Sequence, residues 1–181
     1  MEKNESFHKP SLAYRLKKSV VGTALIAFGA TFEIVSKKDD VIIEELKDWE
    51  EGLVLVLGVL PFGPAISMKK EDGRIKYLGK GYKEEPSLKI LFKNVDSAFL
   101  PFTGQMGNHT AFAQHRTLVH GSLVDVVKAN RVMGLVQTYL LPNIVLKRIF
   151  KRPPKYTFKQ LLLKGYLYMV FPITFAMNMW K

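Results

Sequence analysis

The chain has 181 residues, 48% of them hydrophobic and 24% charged, which are globular proportions that exclude wholesale disorder and leave room for one core. It contains no cysteine, so disulfide scaffolds, thiolate-held zinc, iron–sulfur clusters and thiol catalysis are excluded together. The net charge of +11 is unevenly placed: from Val126 to Lys181 there are ten Lys or Arg and no Asp or Glu, whereas the part before is close to neutral. Such an asymmetry points to a membrane or nucleic-acid surface as partner.

The polar lead-in ends at Pro10, and the pattern predicts a helix over 11–35 with Ser11 as N-cap and Leu12, Leu16, Val20 and Val21 at helical spacing. Residues 20–32 are apolar nearly all round and follow Lys17 and Lys18, so the segment imitates a secretory signal. The long polar lead-in, which carries Glu2 and Glu5, and the lack of a small-residue cleavage site argue for a buried helix instead. The apolar run is also short for a span, which needs about 20 residues. Asp39 or Asp40 is expected to cap a second helix reaching Trp49. Over 53–60 both alternating sets are apolar, as in a strand covered on both faces. Strands are predicted over 65–69 and 74–78, joined by the Asp72-Gly73 turn, and over 88–92. Asp96 or Ser97 is expected to cap a helix stopping near Gly104, and Asn108 another reaching His115. A short strand over 117–120 leads through Gly121-Ser122 into a long helix that ends before Pro142. Pro153-Pro154 reads as a linker, and Thr157 as the cap of a last helix that Pro172 should kink or end. The fold class is α+β: one mostly antiparallel, mixed five-stranded sheet covered by helices, with extra helices at both ends.

The stretch from Leu88 to Arg131 carries a set of short motifs in a fixed order. Ile90-x-Phe92 runs into Asp96-Ser97-Ala98-Phe99-Leu100, then Thr103-Gly104-Gln105-Met106, Ala111-Phe112, and Thr117-Leu118-Val119-His120-Gly121-Ser122. With the strand from Trp49 to Leu60 upstream, this order resembles the sterol carrier protein 2 family of lipid-binding domains over roughly 40–138. Ser122 stands where that family usually has Asn or Asp; serine also caps helices well. The resemblance implies a sheet and helices enclosing an apolar tunnel for sterols, fatty acids, acyl-CoA or phospholipids, with no chemistry performed and no cofactor. It divides the chain into an N-terminal helical segment (1–39), the lipid-binding domain (40–141) and a basic, apolar helical extension (142–181).

On that reading the lining is expected from Leu55, Leu57, Phe92, Phe99, Phe102, Met106, Phe112, Leu123, Val127 and Leu135, with Gln105 as the polar residue reaching a head group. A tunnel needs shape rather than a motif: burying ~16 methylenes is worth roughly 12 kcal/mol before ordering costs. Trp49 stands either at the pocket mouth or at a core edge. His109, His115 and His120 are close in sequence, but six residues place the first two on different sides of a helix, which fits neither a metal site nor a general base. No nucleophile elbow is present, Gly79-Lys80-Gly81 is no phosphate loop, and Asn108-His109-Thr110 is a glycosylation sequon that matters only if the chain is secreted.

Lys147, Arg148, Lys151, Arg152 and Lys155 form a basic cluster ahead of an uncharged, aromatic-rich stretch from Gly165 to Trp180. This pairing fits an anionic membrane surface, each basic side chain adding about 1 kcal/mol near the bilayer. Nucleic acid fits less well, because the aromatics lie in apolar runs away from the basic residues. The function expected is non-enzymatic lipid binding or transfer by a cytoplasmic protein associating peripherally with membranes. The alternative is an accessory protein presenting an isoprenoid or quinone-like lipid to an enzyme, and a lipid enzyme using His115 or His120 is the third reading.

Overall fold

A computed structural model describes residues 11–150 and 156–179, with side chains through Met169. The elements run α1 (Leu12–Lys38), α2 (Asp40–Lys47), β1 (Val54–Val59), β2 (Ala65–Glu71), β3 (Arg74–Lys80), β4 (Leu88–Phe92), α3 (Val95–Phe102), α4 (Asn108–Ala113), β5 (Thr117–His120), α5 (Leu123–Leu140), α6 (Asn143–Ile149) and α7 (Phe158–Met179). The sheet order is β3-β2-β1-β4-β5, with β1 and β4 parallel and the other pairs antiparallel. This is the mixed five-stranded α+β architecture expected.

Strand β1 lies at the centre and is buried along its whole length, which explains why both of its faces are apolar. Register places Leu55 beside Met68 and Leu88, and Leu57 beside Ile66 and Ile90, so these side chains share the helix-facing surface. Residues 81–87 carry the chain from edge strand β3 to β4. On the way Lys83 N donates to Ser67 Oγ, Val54 N to Ser87 Oγ, and Lys69 pairs with Glu84 at 2.8 Å. The β2–β3 turn uses Asp72 (φ 53) and Gly73 (φ 69), both left-handed as a two-residue hairpin requires.

Helix α1 begins at Ser11, whose Oγ accepts from Tyr14 N at 3.3 Å. Val21, Leu25, Phe28, Phe32 and Val35 recur at four- and three-residue spacing and bury that face in the core shared with the sheet. A Cβ at Gly29 would stand 2.5 Å from the Tyr77 ring and 3.2 Å from Ile66, so glycine lets the helix come close to β2 and β3. With 27 residues, α1 is long and apolar enough to cross a membrane, longer than the run read from sequence. However, 56% of its most apolar window is buried inside the fold.

Several boundaries differ from expectation. Asn94, in extended conformation, caps α3 by accepting Ser97 N at 2.8 Å, which leaves Asp96 in the first turn to pair with Lys17 at 2.6 Å. Gly107 takes the N-cap position of α4, and the Asn108 side chain donates to Asn130 Oδ1 instead. Ser122 occupies the N-cap position of α5 without a side-chain cap bond. Helix α2 stops at Lys47, before Trp49. The unforeseen α6 starts after Pro142 and packs on the α3–α4 link: a Cβ at Gly104 (φ +72) would collide with Val145 Cγ1. The Thr103-Gly104 pair thus ends α3 in a left-handed turn, with Gln105 N returning to Leu100 O at 2.9 Å. The α7 backbone stays helical past Pro172 to Met179. Pro153-Pro154 lies outside the described residues.

Candidate functional site

Helices α1, α3, α4, α5 and α7 and strand β4 line a cavity of about 410 Å³. Its α1 wall is made of Ser19, Thr23, Ala27 and Thr31, small residues every fourth position, together with Val20, Ala24 and Phe28. Residues four apart lie along one helix face, and small side chains there leave space between α1 and its neighbours. Phe92 of β4 and Phe102 of α3 form the floor with Pro101; α5 supplies Met133, Gln137, Tyr139 and Leu140, with Leu141 just beyond it; α7 closes the remaining side with Leu167 and Tyr168. Asn108 completes the lining, and half-exposed Val20 and Tyr168 mark the open side.

The floor is an edge-to-face chain of rings. Phe92 and Phe102 have centroids 5.7 Å apart, Phe102 and Phe28 6.3 Å, Phe28 and Phe32 6.0 Å, and Phe32 and Trp49 6.2 Å. Perpendicular pairs of this kind fix ring orientation and add about 0.5–1.5 kcal/mol each beyond burial. Trp49 closes a core edge at the far end of the chain and does not line the cavity.

Two polar knots hold α7 in place. Asp39 is buried; its Oδ1 accepts Val41 N at 2.8 Å and Ile42 N at 3.3 Å, capping α2. Its Oδ2 accepts the Tyr139 hydroxyl and, at 3.3 Å, Gln160 Nε2. Burial, and then this carboxylate, push the Tyr139 phenol far above its ordinary range. Lys164, also buried, donates to Thr138 O at 2.7 Å, Leu141 O at 2.9 Å, Asn143 Oδ1 at 2.8 Å and Tyr156 Oη at 3.2 Å. It therefore satisfies carbonyls at the C-terminal end of α5, where the helix dipole favours a cation. Burial pulls its ammonium down to about 8.

Of the lining residues read from sequence, the cavity brings together Phe92 and Phe102. Leu55 and Leu57 are fully buried in the sheet–helix core, and Phe99, Phe112 and Leu135 pack partly buried against that core. Met106 is half-buried. Gln105 is exposed, its Nε2 donating to Thr103 Oγ1 at 2.9 Å, and does not reach the cavity. Leu123 and Val127 are 68% and 58% exposed, because α5 turns Val126, Ala129 and Met133 inward. Of the basic cluster, Lys147 and Arg148 are exposed on α6, while Lys151, Arg152 and Lys155 lie outside the described residues. His109 Nδ1 lies 3.2 Å from Asn130 Nδ2, and His115 and His120 are exposed. Among the described residues no three His, Asp or Glu side chains are placed to hold a metal. The lining residues of α1 and α7, and Met133, Gln137, Tyr139 and Leu140 of α5, are not among those read from sequence; the legible signal was the small-residue spacing in α1.

These features define a class: an α+β domain whose helical layer holds an apolar cavity above a mixed five-stranded sheet. No family model matches the chain, and no curated protein sequence does. Solved structures with a similar fold carry sterol carrier protein 2 descriptions, the class the sequence motifs resemble. A "UbiJ-SCP2 Ubiquinone synthesis protein" is 15% identical at a TM-score of 0.41, covering 67% of this chain and 96% of its own. A conserved hypothetical protein from Thermus thermophilus, described as "possibly sterol carrier protein", is 14% identical at 0.43, covering 61% and 85%. The apo form of sterol carrier protein 2 from Yarrowia lipolytica is 15% identical at 0.39, covering 73% and 98%.

Proposed function

We propose that this protein is a non-enzymatic carrier that holds one hydrophobic ligand in the cavity between α1, α3, α5 and α7 and exchanges it at an anionic membrane surface. The observation that carries the reading is the cavity itself: about 410 Å³, walled by apolar and small side chains and floored by Phe92 and Phe102. That volume falls within the usual range of small-molecule sites, and an alkyl chain gains roughly 0.8 kcal/mol for each methylene removed from water. Among the described residues no Asp, Glu, His, Lys or Arg lines it to activate the hydroxyls of Ser19, Thr23 or Thr31, so what the lining supports is binding rather than turnover.

The docking half of the proposal rests on α7. Phe158, Leu161, Leu162 and Met169 recur at helical spacing on its solvent side, Phe158 and Met169 being 77% and 81% exposed. Tyr168, beside Met169, stands at the open side of the cavity. Exposed Lys147 and Arg148 of α6 belong to the region without acidic residues, and Lys151, Arg152 and Lys155 join them in sequence. An apolar row with basic neighbours suits the interface of an anionic bilayer. The protein would then be a soluble body working in the cytoplasm at membranes.

Native mass spectrometry tests the carrier half: a lipid-sized adduct, lost on delipidation and regained with lipid extract, is expected. A permanently ligand-free chain contradicts it. Co-sedimentation with phosphatidylserine vesicles tests docking, with binding that weakens as salt rises and with neutral vesicles. The same apolar row would cover a protein partner in the accessory reading, and a stable hetero-complex indifferent to vesicles would favour that reading.

A further inference from the structure

Resting on the carrier reading and its membrane docking, we infer that α7 is a latched lid. Contact with an anionic bilayer draws it off the cavity, and the ligand crosses where Leu167 and Tyr168 stood. The first ground is the way the helix faces. Its inward stripe is Gln160, Leu163, Lys164 and Leu167, at the three- and four-residue spacing of one helical face, and half of that stripe is polar. Its outward side carries Phe158, Leu161, Leu162 and Met169, each more than half exposed. A buried lysine and exposed leucines reverse the usual order of a surface helix, whose apolar stripe faces the core.

The second ground is the latch. Lys164 and Gln160 hold the inward face through the acceptors described above, Lys159 pairs with Asp40 at 2.7 Å, and the Tyr168 hydroxyl donates to Leu140 O at 3.2 Å. These partners tolerate release. Asp39 keeps Val41 N, Ile42 N and the Tyr139 hydroxyl, and the Thr138 and Leu141 carbonyls stand at the end of α5, where water replaces the ammonium. The third ground is what the bilayer gains. A surface shifts a conformational equilibrium only by binding one state better than the other. The outward row reaches a membrane with α7 in place. Release adds Leu163 and Leu167 to that row and frees Lys159 and Lys164 for anionic head groups, so an anionic interface favours the released helix. The cavity then loses Leu167 and Tyr168 and keeps its α1, α3 and α5 walls.

The chain has no cysteine, so two introduced thiols can be labelled uniquely. Lys38 Nζ lies 4.4 Å from the Tyr166 ring centroid across the α1–α7 seam, and neither side chain belongs to the latch or to the outward row. Nitroxides on Lys38→Cys and Tyr166→Cys should broaden each other's EPR spectrum in solution and with phosphatidylcholine vesicles. With phosphatidylserine vesicles the broadening should vanish, as a gap of at least a helix diameter, about 10 Å, opens. Joining the two thiols with a short bis-maleimide should slow the transfer of N-phenyl-1-naphthylamine, a neutral fluorescent probe, to phosphatidylserine vesicles about tenfold relative to the same variant capped with N-ethylmaleimide. Probe affinity should be equal in the clamped and capped chains. Broadening that persists while the chain co-sediments with phosphatidylserine vesicles, or equal transfer from clamped and capped chains, overturns the inference and leaves docking and carriage standing. Failure of the parent chain to co-sediment or to bind the probe overturns the reading beneath it, and this inference with it.

Discussion

The two long helices that flank the cavity are held in different ways. α1 lies on the sheet through close-packed apolar side chains, with Gly29 against Tyr77 and Phe28 and Phe32 in the aromatic chain. α7 contributes Leu163 and Leu167 to the same core, but its attachment to α5 and to the α1–α2 junction runs through Asp39, Gln160 and Lys164. Dense apolar packing is insensitive to pH and costly to disturb anywhere along its length. A few directed hydrogen bonds concentrate the attachment in single residues. One wall of the cavity is therefore fixed by volume, the other by polar partners.

The comparison breaks most visibly at Phe32, which is fully buried between Phe28 and Trp49. Phe32→Ala is expected to lower stability by about 3–5 kcal/mol in urea unfolding. A loss below about 1 kcal/mol would mean that the α1–sheet packing is loose. Gly29→Leu comes next, at about 1–3 kcal/mol, because the new side chain must displace the Tyr77 ring. Adding Tyr77→Ala should restore part of it, and a double variant no better than the single would place the strain elsewhere.

Lys164→Met sharpens the comparison at the other wall. It leaves the Thr138 and Leu141 carbonyls without their donor, a cost of about 1–2 kcal/mol at pH 7. It should also alter the pH profile. Burial lowers the folded-state value from 10.5 to about 8, so between these values the unfolded chain binds the proton that the folded chain has released. The penalty for burying the charged form is fully present below pH 8 and is relieved as pH rises toward 10. Urea midpoints should therefore climb from pH 7 to 9.5 in the parent and stay flat in the variant. Equal profiles would show that Lys164 does not titrate there.

Leu162→Ser, on the solvent side of α7, has the smallest expected effect on folding, within about 0.5 kcal/mol. The same change should reduce co-sedimentation with phosphatidylserine vesicles. Vesicle binding equal to the parent's would remove this row from the docking surface.

How far the sequence discloses these features depends on what encodes them. The doubly apolar β1, the Asp72-Gly73 turn and the Ser11 cap are local patterns, and each led to its element. The α3 start was misplaced because Asn94, Asp96 and Ser97 are all capping residues and only backbone conformation chooses among them. Leu123 and Val127 sit at helical spacing with the inward set, yet α5 has apolar residues on two faces and tertiary contacts decide which is buried. The cavity was legible only in part: Phe92 and Phe102 fell within the family-like stretch. The wall of Ser19, Thr23, Ala27 and Thr31 is a spacing of small residues, and a void is made by what side chains leave unfilled. Nothing local in the sequence marks Lys164 as buried, because its acceptors are the carbonyls of Thr138 and Leu141 and the side chains of Asn143 and Tyr156.

The central claim is that the space between α1 and α7 receives a ligand. Ala24, half-buried in the cavity wall, is the place to fill it. Fluorescence titration of the parent and of Ala24→Trp with N-phenyl-1-naphthylamine tests this directly. The account predicts saturable binding of one probe per chain in the parent and its loss in the filled variant, with the urea midpoint retained. Binding that is identical in the two proteins would contradict it.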